Sequence, residues 1–313
     1  MRRTTLESRI LKFSGSDLLR DLDLTDEELN HLLDLAAEVK QSPRDYARAL
    51  DGKAIALLFE KPSLRTRLTF ELAIKQTGGE SVFVEGPVGG REPLKDVARN
   101  LDRWVNGIVA RVFAQETVEE LAQWASVPVV NALSDLYHPC QALADVQTIR
   151  ERFGDLRGLK LTFLGDGNNV AQSLMTTAVR LGMDFALGCP EGYLPNPEVV
   201  AQAEGLAAIS GSTLLITHDV AAALDAAHAI YTDVWTSMGQ EREAAKRKKA
   251  FRPFQVTDEL MAQARPEAVF MHCLPARRGE EVTDSVMECP RSVVFDQAEN
   301  RLHAQKALLL MML

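Results

Sequence analysis

Cysteine is scarce in this 313-residue chain. There are four, at positions 140, 189, 273 and 289, and no two form a C-x-x-C pair. Neither a zinc-binding pattern nor a disulfide framework is indicated. No apolar run approaches the ~20 residues of a membrane-spanning helix. The longest, Ala307 to Leu313, reads as the packed end of a terminal helix. Positive charge is in deficit: 35 lysines and arginines face 44 acidic residues, a net charge of −9. That balance argues against a nucleic-acid surface. The first nine residues, Met-Arg-Arg-Thr-Thr-Leu-Glu-Ser-Arg, lack the apolar stretch of a secretory signal. The expectation is a protein of a reduced, cytoplasmic compartment, without membrane or nucleic-acid partners.

What remains is an ordinary globular composition, 46% hydrophobic and 25% charged, long enough for two domains. Strand-like and helix-like segments alternate throughout. Strands are expected at Ala54–Phe59, Ser81–Val84, Gly107–Phe113 and Val127–Asn131. In the second half they are expected at Lys160–Leu164, Phe185–Cys189, Thr213–Thr217, Ala229–Thr232, Ala268–His272 and Val293–Phe295. Helical patterns fall at Asp26–Lys40, Thr66–Thr77, Leu94–Val105, Val118–Ala125 and from about Gln141 to Arg152. This alternation predicts an α/β protein of two domains, each a mainly parallel sheet flanked by helices. The turn Phe153-Gly-Asp-Leu-Arg-Gly158 marks the division, giving domains 1–150 and 151–297. Ligands are then expected at the C-terminal ends of strands.

The most informative segment is Ser63-Leu-Arg-Thr-Arg67, between an apolar strand and an amphipathic helix. Ser63 stands at the N-cap, and two arginines fall in the first turn, where cations are unfavourable. Bound anion, most simply phosphate, would reverse that penalty; the bland alternative is surface ion pairing. Arg111 follows Gly107-Ile-Val-Ala110 and places a third cation near the end of a neighbouring strand, or is structural. His138-Pro-Cys-Gln141 opens a long helix; a histidine and a glutamine there suit hydrogen bonding to a carbonyl and an amide.

Gly165-Asp-Gly-Asn-Asn169 half-resembles a dinucleotide fingerprint, but Val170 stands where a further glycine is wanted. It reads better as a ligand-facing turn in which Asn169 offers an amide. Asp233-Val-Trp-Thr-Ser-Met-Gly-Gln240 suits an ammonium group and a mobile lid. The charged stretch Glu241–Lys249 reads as a solvated helix face. Cys273 ends a strand before a proline turn, where a buried thiol is either packing or chemistry. Arg301 is expected just before the terminal helix, paired with Glu299 or added to the site.

Taken in order from Lys53 to His303, these segments resemble the aspartate/ornithine carbamoyltransferase family, on its ornithine-using side. The resemblance implies transfer of a carbamoyl group from carbamoyl phosphate to L-ornithine, a step of arginine metabolism, without metal or organic cofactor. It implies that Ser63, Leu64, Arg65, Thr66, Arg111, His138, Gln141, Cys273, Leu274 and Arg301 bind carbamoyl phosphate. It implies that Asn169, Asp233, Ser237 and Met238 bind ornithine, and that Arg111, His138, Asp233 and Cys273 carry the catalysis. It also implies a carbamoyl phosphate-binding first domain, with a C-terminal helix from about 298 to 313 packing back on it, an ornithine-binding second domain, and a homotrimer or multiple of trimers. Two departures stand out. Leu64 replaces a threonine of the usual motif. In Glu85-Gly-Pro-Val-Gly-Gly-Arg91, Pro87 occupies the position where a glutamine usually reaches a neighbouring subunit's phosphate.

Overall fold

A computed structural model describes residues 10–236 and 241–313. The chain divides into two compact units, residues 1–147 with 299–313, and residues 148–298.

In the first unit, α1 (Asp26–Gln41) begins at Thr25, whose hydroxyl accepts the Glu28 N–H while Glu28 reaches back, a capping box. Its buried Leu29, Leu32, Leu33, Ala36 and Val39 keep helical spacing. The apolar run β1 (Ala54–Phe59) leads into α2 (Leu64–Gln76), then β2 (Glu80–Glu85), α3 (Leu94–Trp104), β3 (Gly107–Arg111), α4 (Gln115–Trp124), β4 (Val129–Leu133) and α5 (Pro139–Phe153). All four strands are parallel, in the order β2-β1-β3-β4. The order reverses between β1 and β3, where Phe59 pairs with Arg111. Ligands favour such a switch point, and it presents both the Ser63 turn and Arg111.

In the second unit, β5 (Lys160–Leu164), α6 (Asn169–Arg180), β6 (Asp184–Gly188), α7 (Pro197–Ser210), β7 (Leu214–Thr217), α8 (Val220–Leu224), β8 (Ala229–Thr232), α9 (Ala244–Phe251), α10 (Asp258–Met261), β9 (Val269–His272) and α11 (Asp284–Glu288) follow in sequence. The five parallel strands are ordered β7-β6-β5-β8-β9. Here the reversal lies between β5 and β8, with Leu164 beside Thr232 and Thr232 beside His272. Three loops therefore leave the same sheet edge: Gly165–Asn168, the segment from Asp233, and Cys273–Leu274. Leu164, Ala186, Ile230, Phe270 and Val282 form part of the core beneath them.

The expected strand at Val293–Phe295 is corrected. Pairing there stops at Ser292, which bridges Phe270, and α12 (Val294–Met312) begins immediately. Val294, Gln297, Asn300, Arg301 and Ala304 are buried at helical spacing, while Phe295 is exposed. A three-residue apolar run does not distinguish the two periods. Arg301 consequently lies within the terminal helix, not ahead of it.

Candidate active site

In the first unit, Ser63 has extended backbone and its Oγ accepts the Thr66 N–H at 3.3 Å, capping α2. Thr66 is buried, and Arg301 Nη2 donates to its hydroxyl at 2.7 Å. Arg65 lies in the first turn, where its carbonyl accepts the Thr69 hydroxyl. Leu64 turns its side chain outward, 70% exposed, leaving only its backbone at the helix start. Arg67 is not brought to this site: its guanidinium bonds Glu71 and stacks 3.6 Å over Phe83.

Arg111 and His138 are both buried. Burial, then the cations Arg301, Arg111 and Lys61, hold the His138 imidazole well below its usual pKa. A neutral ring keeps one N–H to donate and adds no charge to the cluster. Behind it, Ser134 donates to Gln115 Oε1 at 2.6 Å and accepts the Tyr137 N–H at 3.1 Å, fixing the approach to α5. Gln141 donates to Asp145 at 2.8 Å, and its buried Oε1 makes no hydrogen bond with the described residues.

Lys61, which the sequence reading passed over, belongs to this cluster. Burial and the nearby Arg111 lower its pKa to about 8, against the opposing charges of Asp135 and Glu60. Its place just after β1, beside the Ser63 turn, was the signal that could have found it.

In the second unit, Asp233 is the hub. One carboxylate oxygen accepts Asn168 Nδ2 at 2.9 Å; the other accepts the Cys273 thiol at 3.0 Å and the Val234 N–H at 2.8 Å. Asn168 caps α6, accepting the N–H groups of Val170 and Ala171. Asn169 lies beside it, half-buried, with Oδ1 accepting the Val170 N–H. Asn168 was missed, although an asparagine before an apolar helix is itself a capping signal. Ser237 and Met238 lie outside the described residues.

The charged stretch 241–249 is not a wholly solvated face. Arg247 is buried, donates to Asp166 and to the Trp235 carbonyl, and lies over the Tyr193 and Phe251 rings. Burial raises the Asp166 pKa and Arg247 counteracts it. No local pattern in the sequence foretells that pairing across 81 positions.

Asp233, His272 and Cys273 have potential metal ligands within 4.8 Å of one another. Those atoms are engaged within the protein: His272 Nδ1 accepts the Leu274 N–H, and the thiol donates to Asp233. The Gly165–Asn168 turn is equally unsuited to a dinucleotide. A Cβ at Gly167 would lie 2.3 Å from Pro195 N, so the protein's own backbone occupies the close approach that a pyrophosphate would need.

A cationic cluster around a neutral histidine in the first unit, and a carboxylate with a thiol in the second, each at a sheet switch point, match a known class. Residues 16–151 match the aspartate/ornithine carbamoyltransferase carbamoyl-P binding domain, and residues 157–312 match the Asp/Orn binding domain. The chain belongs to the aspartate/ornithine carbamoyltransferase family. It is 51% identical over 305 residues to an ornithine carbamoyltransferase of Thermococcus kodakarensis, covering 96% of this chain and 97% of that one. An anabolic ornithine carbamoyltransferase of Pyrococcus furiosus is 50% identical over 305 residues, with 96% and 97% coverage. A solved ornithine carbamoyltransferase from Pyrococcus furiosus superposes with a TM-score of 0.93 at 49% identity, covering 96% of this chain and 98% of the other.

Proposed function

We propose that this chain transfers the carbamoyl group of carbamoyl phosphate to the side-chain amine of L-ornithine, releasing L-citrulline and phosphate. The observation that carries this reading is the neutral His138 set among Arg301, Arg111 and Lys61. Such a cluster suits an anion that also carries a carbonyl. The names of relatives sharing half of its residues support the same reaction, and the anabolic relative supports the citrulline-forming direction, as a step of arginine biosynthesis.

The phosphate is held by Ser63, Arg65, Thr66 and Arg301, with the Leu64 backbone N–H at the start of α2. Arg111 and His138 donate to the carbamoyl oxygen as the amine attacks and the tetrahedral oxyanion forms, a contribution of roughly 3–4 kcal/mol per donor. Gln141 Oε1 and the Leu274 backbone accept from the carbamoyl NH₂. Asp233 and Cys273 receive the ornithine side-chain amine, and Asn169, Ser237 and Met238 hold its amino-acid end. The bond from the carbamoyl carbon to the phosphate oxygen then breaks. The departing phosphate accepts the proton lost from nitrogen, so no separate base is required.

The protein works as a homotrimer or a multiple of trimers in the cytoplasm. In support, Leu64, Leu68 and Leu72 form an exposed apolar stripe on α2, and Val82 and Val84 are exposed on β2, an edge strand. Apolar surface of that kind favours association. Among the described residues no helix is long and apolar enough to cross a membrane.

Incubation with carbamoyl phosphate and a panel of ornithine, N-acetylornithine, putrescine and aspartate, with product identified by mass, tests the assignment. Ornithine is expected to be preferred by a wide margin. Comparable efficiency on N-acetylornithine would overturn the choice of amine.

A further inference from the structure

Behind Cys273 lies a fully buried pair that makes no part of the chemistry above. Leu274 has φ +58°, a left-handed conformation that branched residues rarely take. Its N–H donates to His272 Nδ1 at 2.8 Å. That nitrogen therefore carries no proton, the ring is the Nε2–H tautomer, and Nε2 donates to Glu281 Oε1 at 3.1 Å. The same carboxyl oxygen accepts the Arg277 N–H at 2.5 Å. One oxygen thus ties both ends of the Cys273–Arg277 turn. The peptide N–H of His272 donates to Gln297 Oε1 at 2.9 Å, and Gln297 Nε2 donates to the Tyr231 hydroxyl at 3.1 Å. Both side chains of the pair are 0% exposed. Apolar side chains would fill such a volume at less desolvation cost.

We infer that His272 and Glu281 are a positioning pair that sets the Cys273–Leu274 backbone, and so aims the Cys273 thiol at Asp233. His272 acts through Nδ1, which holds Leu274; Glu281 acts by fixing the His272 tautomer and ring. Neither needs to touch a substrate. The consequence for catalysis rests on the proposed role of Asp233 and Cys273 in receiving the amine.

The test uses the full-length protein carrying Cys289→Ser, so that Cys273 is the accessible thiol; Cys140 and Cys189 are buried. His272→Asn keeps an acceptor where Nδ1 lies, whereas His272→Gln keeps a polar atom only where Nε2 lies. Glu281→Gln retains the acceptor oxygen and Glu281→Met removes it. The readouts are the iodoacetamide alkylation rate, circular dichroism, and kcat with both KM values. In His272→Gln, alkylation should quicken several-fold and the ornithine KM rise ~10-fold or more, while His272→Asn and Glu281→Gln stay within ~3-fold of the parent. Equal alkylation rates for His272→Asn and His272→Gln at equal folded content would overturn the inference. Should His272→Gln not fold, Glu281→Met against Glu281→Gln decides by the same comparison. A parent that makes no citrulline would sink the proposed reaction, while the alkylation contrast would still judge the pair.

Discussion

Arg301, in the last helix, donates to the hydroxyl of Thr66, in the first turn of α2, across 235 positions of sequence. The bond brings a guanidinium to a helix start that already carries the positive end of the helix dipole and the Ser63 cap. A dianion there meets full and partial positive charges together. Thr66→Val should therefore raise the KM for carbamoyl phosphate, by ~10-fold or more if the hydrogen bond to a charged group is worth ~1.5–3 kcal/mol. The KM for ornithine should change far less. Steady-state kinetics with each substrate varied would show this, and a normal carbamoyl phosphate KM would detach Arg301 from the site.

Arg111→Ala should lower kcat by roughly 10²-fold or more, because the proposed mechanism makes Arg111 a donor to the developing oxyanion. Folding, followed by circular dichroism, should persist.

Lys61 should make binding of carbamoyl phosphate depend on pH. Its folded pKa is about 8, down from 10.5. A bound dianion favours the charged ammonium and raises that pKa. Binding near pH 8 should therefore take up protons, and affinity should fall as pH rises past 8. Calorimetry in buffers of different ionisation enthalpy measures the uptake, which should vanish in Lys61→Met. For folding, the unfolded chain binds the extra proton between pH 8 and 10.5, so this group makes stability rise with pH across that window.

Arg247→Gln should act on the second substrate. Arg247 binds both the Gly165–Asn168 turn, through Asp166, and the Trp235 carbonyl two residues beyond Asp233. The ornithine KM should rise ~10-fold or more, in line with losing buried bonds from a charged donor. The carbamoyl phosphate KM should stay near its original value. Equal changes in both would mean that Arg247 serves only general stability.

Gly167→Ala should destabilise the protein by ~1–3 kcal/mol, measured by urea unfolding, because a methyl there would collide with the backbone at Leu194 and Pro195. An unaffected midpoint would show that this turn is looser than its packing indicates.

Much of the fold was legible because parallel strands buried on both faces read as continuous apolar runs. Ala54–Phe59 begins and ends where its apolar run does, and the bounds expected for Lys160–Leu164 and Ala229–Thr232 match the strands as well, although each includes a polar residue. Val293–Phe295 was misread because so short a run carries no period, and only the buried positions further along α12 reveal a helix. The Ser63–Arg67 turn stood out by its chemistry, since two arginines at a helix N-terminus need an explanation. The structure turns one of the two, Arg67, away onto Glu71 and Phe83.

The sequence by itself determined the strand and helix alternation, the cap at Ser63, and the chemical types standing at strand ends, because each is a matter of neighbouring residues. Tertiary structure alone decided that Lys61 titrates near 8, that Asn168 bonds Asp233, and that Arg247 is a buried clamp and not a solvated charge. Those properties come from desolvation and from partners far along the chain. Neither is expressed until the sheet register has brought separate loops to one edge.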